Sequence, residues 1–263
     1  MPERDVFLSP VEKELLFKEW CQRNGVERFL FDGDDTLWST VEVFRRFMEE
    51  CYIFLSSATL TAKEKWEKEI CTLSDKYFEI YGVNPERWDR IIEELAIQKG
   101  LTEKTRFIAT SILRKIYLTP LQFLEGTEMV LDFLKRINVP FGIVTHANRD
   151  WTARKYHWLN LKRFLDWDDI FIIDENGHKT EEEWKKAIAY FGCQPNEVAI
   201  AGDSPRSDIN PAQKLSVRHL FLVEGSTPRW SIHNQEIDPK VMVIRDLTGL
   251  ISLVINDQTT PLK

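Results

Sequence analysis

The stretch FLFDGDDTLW occupies residues 29–38 and joins a short apolar run to three closely spaced carboxylates. An apolar run bounded by turn-forming residues predicts a short buried strand. In open parallel sheets, ligands bind beyond the carboxyl ends of the strands, which is where these carboxylates would lie. Asp32 and Asp34 stand two residues apart, so that one could attack a substrate while the other transfers a proton.

Carboxylates at this density repel one another unless a cation lies among them. A hard cation that prefers oxygen ligands, Mg²⁺, is therefore expected beside residues 32–35. Taken alone, however, an acidic turn after a strand, with Asp35 or Thr36 capping nearby backbone, is the commoner explanation of such a pattern. The rest of the sequence has to decide between the two.

The bulk properties narrow the class of protein. A length of 263 residues, 43% of them hydrophobic, suits one enzyme-sized domain or a core domain with a smaller insertion. The formal net charge of −7 gives no indication of a general affinity for nucleic acid or for anionic membranes. No apolar run approaches the roughly 18 to 20 residues of a membrane span, and the charged N-terminus predicts no signal peptide.

Four cysteines are scattered along the chain without a CxxC pair or a nearby histidine cluster. This spacing argues against a zinc site and against a disulfide framework. Reduced thiols and a cytoplasmic location are expected. A cysteine nucleophile is disfavoured because no cysteine shares a motif with a base.

The first part of the chain predicts a helix, a strand and then a helical block. A helix begins at Ser9-Pro10 and ends near Gly25, just before the strand at residues 29–31. From about residue 41 to residue 118, four apolar stripes with helical spacing follow one another and no strand pattern interrupts them. We therefore predict an α-helical domain over residues 39–121.

From residue 121 onward, predicted strands and helices alternate. Strands are expected at residues 141–145, 170–173, 198–201, 219–223 and 241–244, with helices between them. This alternation predicts an α/β fold, a Rossmann-like and mainly parallel sheet with helices on both faces. Its discontinuous core domain would comprise residues 1–38 and 122–263.

Polar residues at or near further strand ends could carry chemistry. The second strand ends in Thr145-His146, and a hydroxyl there could bind a phosphate oxygen. Lys179 lies near a helix start, where a cation is mildly disfavoured, so a functional role gains weight. The strand at 198–201 runs into GDSPRSD, residues 202–208, a second acidic strand end that contains Asp203 and Asp208.

Together these segments resemble the motifs of the haloacid dehalogenase superfamily, from about residue 28 to residue 223. The first motif is Asp-x-Asp-x-Thr at Asp32–Thr36, and the second is a strand ending in Thr145. The third is a lysine, matched less specifically by Lys179, and the fourth is residues 202–208. The helical block between the first two motifs resembles that of members with a helical cap at this point.

The resemblance implies roles for these residues in phosphoryl transfer. Asp32 would be the nucleophile that forms an aspartyl-phosphate, and Asp34 would be the general acid and base. The side chains of Asp32 and Asp203 and the main-chain carbonyl of Asp34 would hold Mg²⁺. Asp208 would support the metal through water or orient the lysine. The phosphoryl oxygens would be held by Thr145 and Lys179.

Two positions depart from the family pattern. His146 stands where relatives often have asparagine, which makes it either a substrate contact or a loop histidine at the rim of the site. Thr180 follows Lys179 where many relatives have proline, so Lys179 is the least specific of the catalytic assignments. Asp35 is common in such motifs, and a role in stabilising the turn is expected for it.

The function expected from this resemblance is a Mg²⁺-dependent phosphatase acting on a small phosphate monoester. Asp34 favours phosphoryl transfer, because relatives that cleave carbon–halogen bonds need no acid at this position and typically lack it. A phosphosugar mutase would use the same residues, and a non-catalytic scaffold that kept the fold is a third possibility. The partner would be a small phosphorylated metabolite, bound by a monomer or homodimer under the cap, with Arg45 as a candidate substrate contact.

Overall fold

A computed structural model describes residues 8–173, 179–224 and 237–257 of the chain. The termini of the predicted core domain, residues 1–7 and 258–263, lie outside this range, as do residues 174–178 and 225–236. In the part described, no helix is long and apolar enough to cross a membrane.

The described residues contain one six-stranded parallel sheet, in the order β3-β2-β1-β4-β5-β6. Its strands are β1 (Arg28–Phe31), β2 (Phe141–His146), β3 (Ile170–Ile173), β4 (Val198–Gly202), β5 (His219–Val223) and β6 (Met242–Ile244). The predicted α/β fold is thus confirmed. Strand β1 lies at the point where the strand order reverses, with β2 on one side and β4 on the other, and this is the usual position of a ligand site in such sheets.

The central strands are apolar because both of their faces are covered. Phe29 and Phe31 of β1 point into a core on one side of the sheet, and Leu30 points into a second core on the other side. A strand buried on both faces forms a continuous apolar run instead of an alternating one, which explains the FLF of β1. The carboxylates follow where this run meets the edge of the sheet.

Helices flank the sheet at the predicted places. They are α1 (Pro10–Asn24), α6 (Thr127–Arg136), α7 (Arg149–Trp158), α8 (Glu181–Tyr190), α9 (Asn210–Lys214) and α10 (Thr248–Asn256). Helix α1 begins with a capping box between Ser9 and Glu12 and ends at Gly25, whose φ of 66° is left-handed. Helix α9 is the helix expected between the strands at residues 198–201 and 219–223, and a π-helical turn over Pro205–Ile209 precedes it.

Four helices follow β1 before the chain returns to the sheet: α2 (Val41–Thr59), α3 (Lys63–Tyr81), α4 (Glu86–Lys99) and α5 (Glu103–Arg114). Their apolar stripes face one another, with Phe47, Trp66 and Trp88 buried. The chain leaves and re-enters the core side by side, because the Ser39 amide donates to the Gln122 carbonyl oxygen at 3.1 Å. The exact boundaries of the inserted domain, residues 39 and 121, stay a prediction.

Candidate active site

The first and fourth motifs meet because β1 and β4 are hydrogen-bonded neighbours. The backbone amide of Asp32 donates to the carbonyl oxygen of Ala201, the residue opposite the end of β1, at 2.9 Å. Thr145 is the last residue but one of β2, the strand on the other side of β1. Residues 169 positions apart in sequence, Asp32 and Ala201, therefore share one edge of the sheet, and Asp32 lies in the middle of it.

Asp32 is a buried carboxylate whose pKa is lowered by Lys179 and raised by Asp208. Its Oδ1 atom accepts a hydrogen bond from Nζ of Lys179, and its Oδ2 atom accepts one from the Thr36 hydroxyl at 3.2 Å. Burial raises the pKa of Asp32 to about 7 although Lys179 opposes the shift, and the nearby charge of Asp208 adds to the increase. The side chain is thus desolvated and held by a cation.

The carboxylate of Asp208 lies in the space left by the missing side chain of Gly202. One oxygen of Asp208 lies 2.9 Å from Nζ of Lys179, and the other accepts from the Ser204 amide at 3.1 Å. A Cβ atom on Gly202 would lie 2.5 Å from three atoms of the Asp208 side chain, so any larger residue would displace that carboxylate. The π-helical turn brings Asp208 back over the strand end that precedes it.

Lys179 bridges the two acidic strand ends. It lies just before Thr180, whose side chain caps the start of α8 by accepting from the Glu183 amide. Burial of the Lys179 ammonium opposes its charge, but the Asp208 and Asp32 carboxylates outweigh this and raise its pKa. The structure thus places Lys179 between Asp32, the nucleophile candidate, and Asp208. This is the arrangement expected if Asp208 orients the lysine.

Three carboxylates form a candidate metal site. Oxygen atoms of Asp32, Asp203 and Asp208 all lie within 4.8 Å of one another, and all three residues are buried. Burial, with the charges of Asp32 and Asp208, raises the pKa of Asp203 well above its usual range. Lys179 supplies one positive charge among three buried acids. An additional hard cation with oxygen ligands, Mg²⁺, fits this donor set.

Thr145 carries a polar atom suited to a phosphate oxygen. Its hydroxyl is buried and, among the described residues, has no hydrogen-bond partner. Buried polar atoms are nearly always paired, so an orphan of this kind at a strand end indicates a ligand. Gly33 lies next to it, because a Cβ atom there would come within 2.9 Å of two atoms of the Trp38 ring and 3.3 Å from the Thr145 hydroxyl.

The remaining predicted residues lie further out. His146 ends β2, and its ring meets that of Phe78 on α3 edge-on, with 5.8 Å between centroids, so it lies where the core meets the inserted helices. Arg45 has an exposed side chain that pairs with Glu42 at 2.6 Å. The structure brings Arg45 into contact with none of the other predicted site residues in the described range, and its role as a substrate contact stays a prediction.

Asp34 does not join the carboxylate cluster through its side chain. Its Oδ1 atom accepts from the indole Nε1 of Trp38 and from Nζ of Lys155, each at 2.5 Å. Lys155, on α7, is completely buried, and burial lowers its pKa although the Asp34 carboxylate opposes the shift. Asp34 is therefore held apart from the three acids of the candidate metal site.

A model of the haloacid dehalogenase-like hydrolase family matches residues 26–215, which is most of the chain and includes all four motifs. The chain belongs to that family. No curated protein sequence matches it. The resemblance inferred from the motifs is thus confirmed.

Solved structures with the same fold are distant in sequence. A haloacid dehalogenase-like family hydrolase from Xanthomonas campestris is 15% identical, with a TM-score of 0.71 over 88% of this chain and 91% of that one. The HAD-hydrolase YfnB from Bacillus subtilis, bound to magnesium, is 16% identical, with a TM-score of 0.64 over 87% and 98%. A putative β-phosphoglucomutase from Thermotoga maritima is 14% identical, with a TM-score of 0.58 over 88% and 97%.

Other structural relatives are named as a phosphatase and as dehalogenases. At these identities the likeness shows the fold alone. The reaction carried out by this haloacid dehalogenase-like hydrolase has to be argued from its own residues.

Sequence reasoning missed Lys155, which lies outside every motif of the family. One signal was present: Lys155 falls four residues after Trp151, on the buried side of α7 with Thr152. A lysine within an apolar helical stripe is either an error in the helix assignment or a buried cation that needs a partner. What the sequence could not give is the identity of that partner, because Asp34 is 121 residues away.

A cleft of about 840 Å³ separates the core of this hydrolase from its inserted helices. Core residues from Ala147 to Arg154 line one wall, and Tyr117 and Arg114 belong to the other. None of the catalytic candidates lines the cleft, which begins two residues beyond Thr145. Its volume falls in the usual range for a small-molecule site.

Proposed function

We propose that the chain is a Mg²⁺-dependent phosphatase that hydrolyses a small phosphate monoester through an aspartyl-phosphate intermediate. One observation carries this proposal: a second carboxylate, Asp34, stands two residues after the buried Asp32 and is held outside the cluster of three acids. Hydrolysis through a covalent intermediate needs both a nucleophile and a separate proton carrier. A halide leaves as a stable anion, so cleavage of a carbon–halogen bond needs no acid to protonate the leaving group.

In the first step, an oxygen of Asp32 would form a bond to phosphorus as the bond from phosphorus to the ester oxygen breaks. Asp34 would give its proton to the departing oxygen. Lys179 and the unpaired hydroxyl of Thr145 would hold the phosphoryl oxygens as charge builds on them. Stabilisation by fixed donors is the main contribution a protein makes to phosphoryl transfer.

In the second step, water would attack the phosphorus of the intermediate, and the bond from phosphorus to Asp32 would break. Asp34 would take the proton that the water loses. A Mg²⁺ ion, when bound, would neutralise charge on the transferring group, and Asp32, Asp203 and Asp208 would hold it. The buried Asp32 would thus return to its starting state with the metal ligands unchanged.

Supporting observations come from the relatives and from the cleft. The structure of YfnB is described as bound to magnesium, and another relative with this fold is named a HAD phosphatase. A cleft of about 840 Å³ opens between the core and the inserted helices two residues beyond Thr145, and its volume is in the range of small-molecule sites. We propose a small phosphorylated metabolite as the substrate class.

The test is release of chromophore and phosphate from an aryl phosphate by wild type and by Asp32→Asn, each with Mg²⁺ and with chelator. Wild type with Mg²⁺ should turn over, and either change should lower the rate by at least about 10⁴-fold, since the nucleophile or its charge partner is lost. Asp132→Asn, an exposed aspartate on α6, is the matched control and should retain full activity.

Activity that survives in Asp32→Asn or with chelator would contradict the proposal. A mutase would leave a different signature, because phosphate would move within a sugar phosphate and little would be released to water. Phosphorus NMR of a hexose phosphate incubated with the enzyme distinguishes these two outcomes.

A further inference from the structure

Lys155 is a buried cation whose place in the site demands an explanation. Its side chain is completely buried, and moving an ammonium group out of water is costly unless a partner compensates. Its Nζ atom lies 2.5 Å from Oδ1 of Asp34 and 3.4 Å from the centre of the Trp151 ring. Within the described residues, Asp34 is the only carboxylate in an ion pair with Lys155.

The carboxylate of Asp34 is held asymmetrically. Both hydrogen bonds that it accepts in the described part of the chain end on Oδ1, one from Lys155 and one from the indole of Trp38. Its Oδ2 atom accepts none from those residues, and the side chain remains 22% exposed. One oxygen is therefore fixed by two donors, and the other is left for a substrate or a water molecule.

The two donors are themselves rigid. Trp38 is almost completely buried, and its ring lies against Gly33, where even a Cβ atom would collide with it. The ammonium of Lys155 lies within 5.7 Å of the centre of the Trp38 ring as well as over Trp151. Cation–π contacts with these two tryptophan rings restrict where the ammonium of Lys155 can move. The position of the Asp34 carboxylate is thus set by two packed side chains.

We propose that Lys155 is a positioning residue for the proposed phosphatase reaction. Together with Trp38 it fixes Oδ1 of Asp34, so that Oδ2 is the atom that exchanges protons. In the first step the proton on Oδ2 passes to the ester oxygen as its bond to phosphorus breaks. In the second step the attacking water returns a proton to Oδ2, and Lys155 keeps its own protons throughout. This inference rests on the proposed function, because it assigns a role within that reaction.

The experiment is a double-mutant cycle with an aryl phosphate and Mg²⁺. It compares wild type, Lys155→Met, Asp34→Asn and the double variant. A misplaced proton carrier should lower the kcat of Lys155→Met by about 10²-fold, with KM changed much less. In the Asp34→Asn background the same substitution should change kcat by less than about threefold, because an effect transmitted through Asp34 disappears with it.

Two controls keep this result specific. Lys155→Arg keeps a cationic donor and should recover part of the kcat that Lys155→Met loses. Lys186→Met removes an exposed lysine that also pairs with a carboxylate, Glu183, and should leave kcat unchanged. If Lys155→Met fails to fold, Trp38→Phe removes the other donor to Oδ1 and enters the same cycle.

Three outcomes would overturn the proposal: an unchanged kcat, an effect confined to KM, or the same loss in both backgrounds. A crystal structure of Lys155→Met distinguishes failure of the positioning role of Lys155 from failure of the proposed phosphatase function. If wild type released no phosphate, the proposed function would fall, and the structure would still decide the role of Lys155. An Asp34 carboxylate that kept its orientation without Lys155 would contradict positioning, and a carboxylate that turned away would support it.

Discussion

Two buried lysines pair with aspartates in this site, and they differ in their position in the fold and in the number of carboxylates they contact. Lys179 lies between two strand-end carboxylates, Asp32 and Asp208, and belongs to a motif. Lys155 comes from the buried face of a helix and meets one oxygen of Asp34. The difference teaches that Asp32 and Asp34, two residues apart on the loop after β1, are held in separate surroundings because a different lysine pairs with each.

The electrostatic consequences also differ. Around Lys179 three buried acids share one lysine, so the region has an excess of negative charge; burial raises the pKa values of Asp32 and Asp203, and the neighbouring carboxylates add to the increase. Around Lys155 one lysine meets one carboxylate, so the charges balance when Asp34 is ionised, the state that the proposed reaction reaches once the leaving oxygen has been protonated. A region with excess negative charge attracts a metal ion, whereas a balanced pair needs none.

The largest effect that would sharpen this comparison is expected from Asp34→Asn. The variant keeps the shape of the side chain but cannot carry a proton between ester and water, so kcat should fall by about 10² to 10⁴-fold. The phospho-enzyme should form slowly and hydrolyse poorly, which rapid quench with labelled substrate measures. Wild-type turnover in this variant would remove Asp34 from the acid–base role and leave Lys155 without a catalytic partner.

Removal of each lysine should destabilise the protein unequally. Lys179→Met leaves two buried carboxylates without their cation and should lower the free energy of unfolding by about 3 to 5 kcal/mol in the absence of metal. Lys155→Met should cost less, because Asp34 keeps the Trp38 indole and some contact with water. Urea unfolding in chelator, followed by tryptophan fluorescence, compares the two. Equal losses would mean that the two pairs are energetically alike.

The excess of negative charge predicts how pH and Mg²⁺ act together on stability. The pKa of Asp32 is about 7 in the folded chain, against about 3.9 when unfolded. Between these values the folded state holds a proton that the unfolded state has lost, so the metal-free protein loses stability as pH rises, and the penalty is complete above pH 7. Mg²⁺ binds the ionised carboxylates, so its benefit should grow over the same range.

The measurement is the melting temperature with and without Mg²⁺ at pH 5.5 and at pH 8. At a concentration 100 times Kd, the ion should add about 2.7 kcal/mol at pH 8, and it should add clearly less at pH 5.5. Asp203→Asn should remove most of the gain, while Lys155→Met should keep it. A gain that is the same at both pH values would show that the buried acids are ionised without metal.

Much of this site follows from the sequence, because the strands that carry it are continuous apolar runs and parallel sheets align their carboxyl ends. The acidic residues after β1 and β4 come together only if the two strands are neighbours, and the sheet order confirms that they are. The partners that hold each carboxylate could not be predicted, since they depend on contacts between residues far apart in sequence. Lys155 reaches Asp34 only because α7 packs beside the loop after β1.

The details of the loops were also outside the reach of pattern analysis. Helix α9 was expected from the sequence, but the π-helical turn before it, in which the Ser204 carbonyl accepts from two successive amides, was not. That turn places Asp208 over Gly202. Asp35 was expected to stabilise the turn. Its carboxylate accepts from the Thr40 hydroxyl and from the amides of Thr40 and Val41, and so anchors the start of α2.

Trp38 has a consequence beyond the site, because it is also where the chain departs for the inserted helices. It forms an isolated antiparallel β-bridge with Phe123 on the returning segment of chain, and the amide of the next residue, Ser39, donates to the carbonyl oxygen of Gln122. Any swing of the four helices on these two linkers would turn about Trp38, and the indole of the same residue holds Asp34. Trp38 thus connects the start of the inserted helices to the carboxylate of Asp34, so that any displacement of these helices would reach Asp34 through the indole.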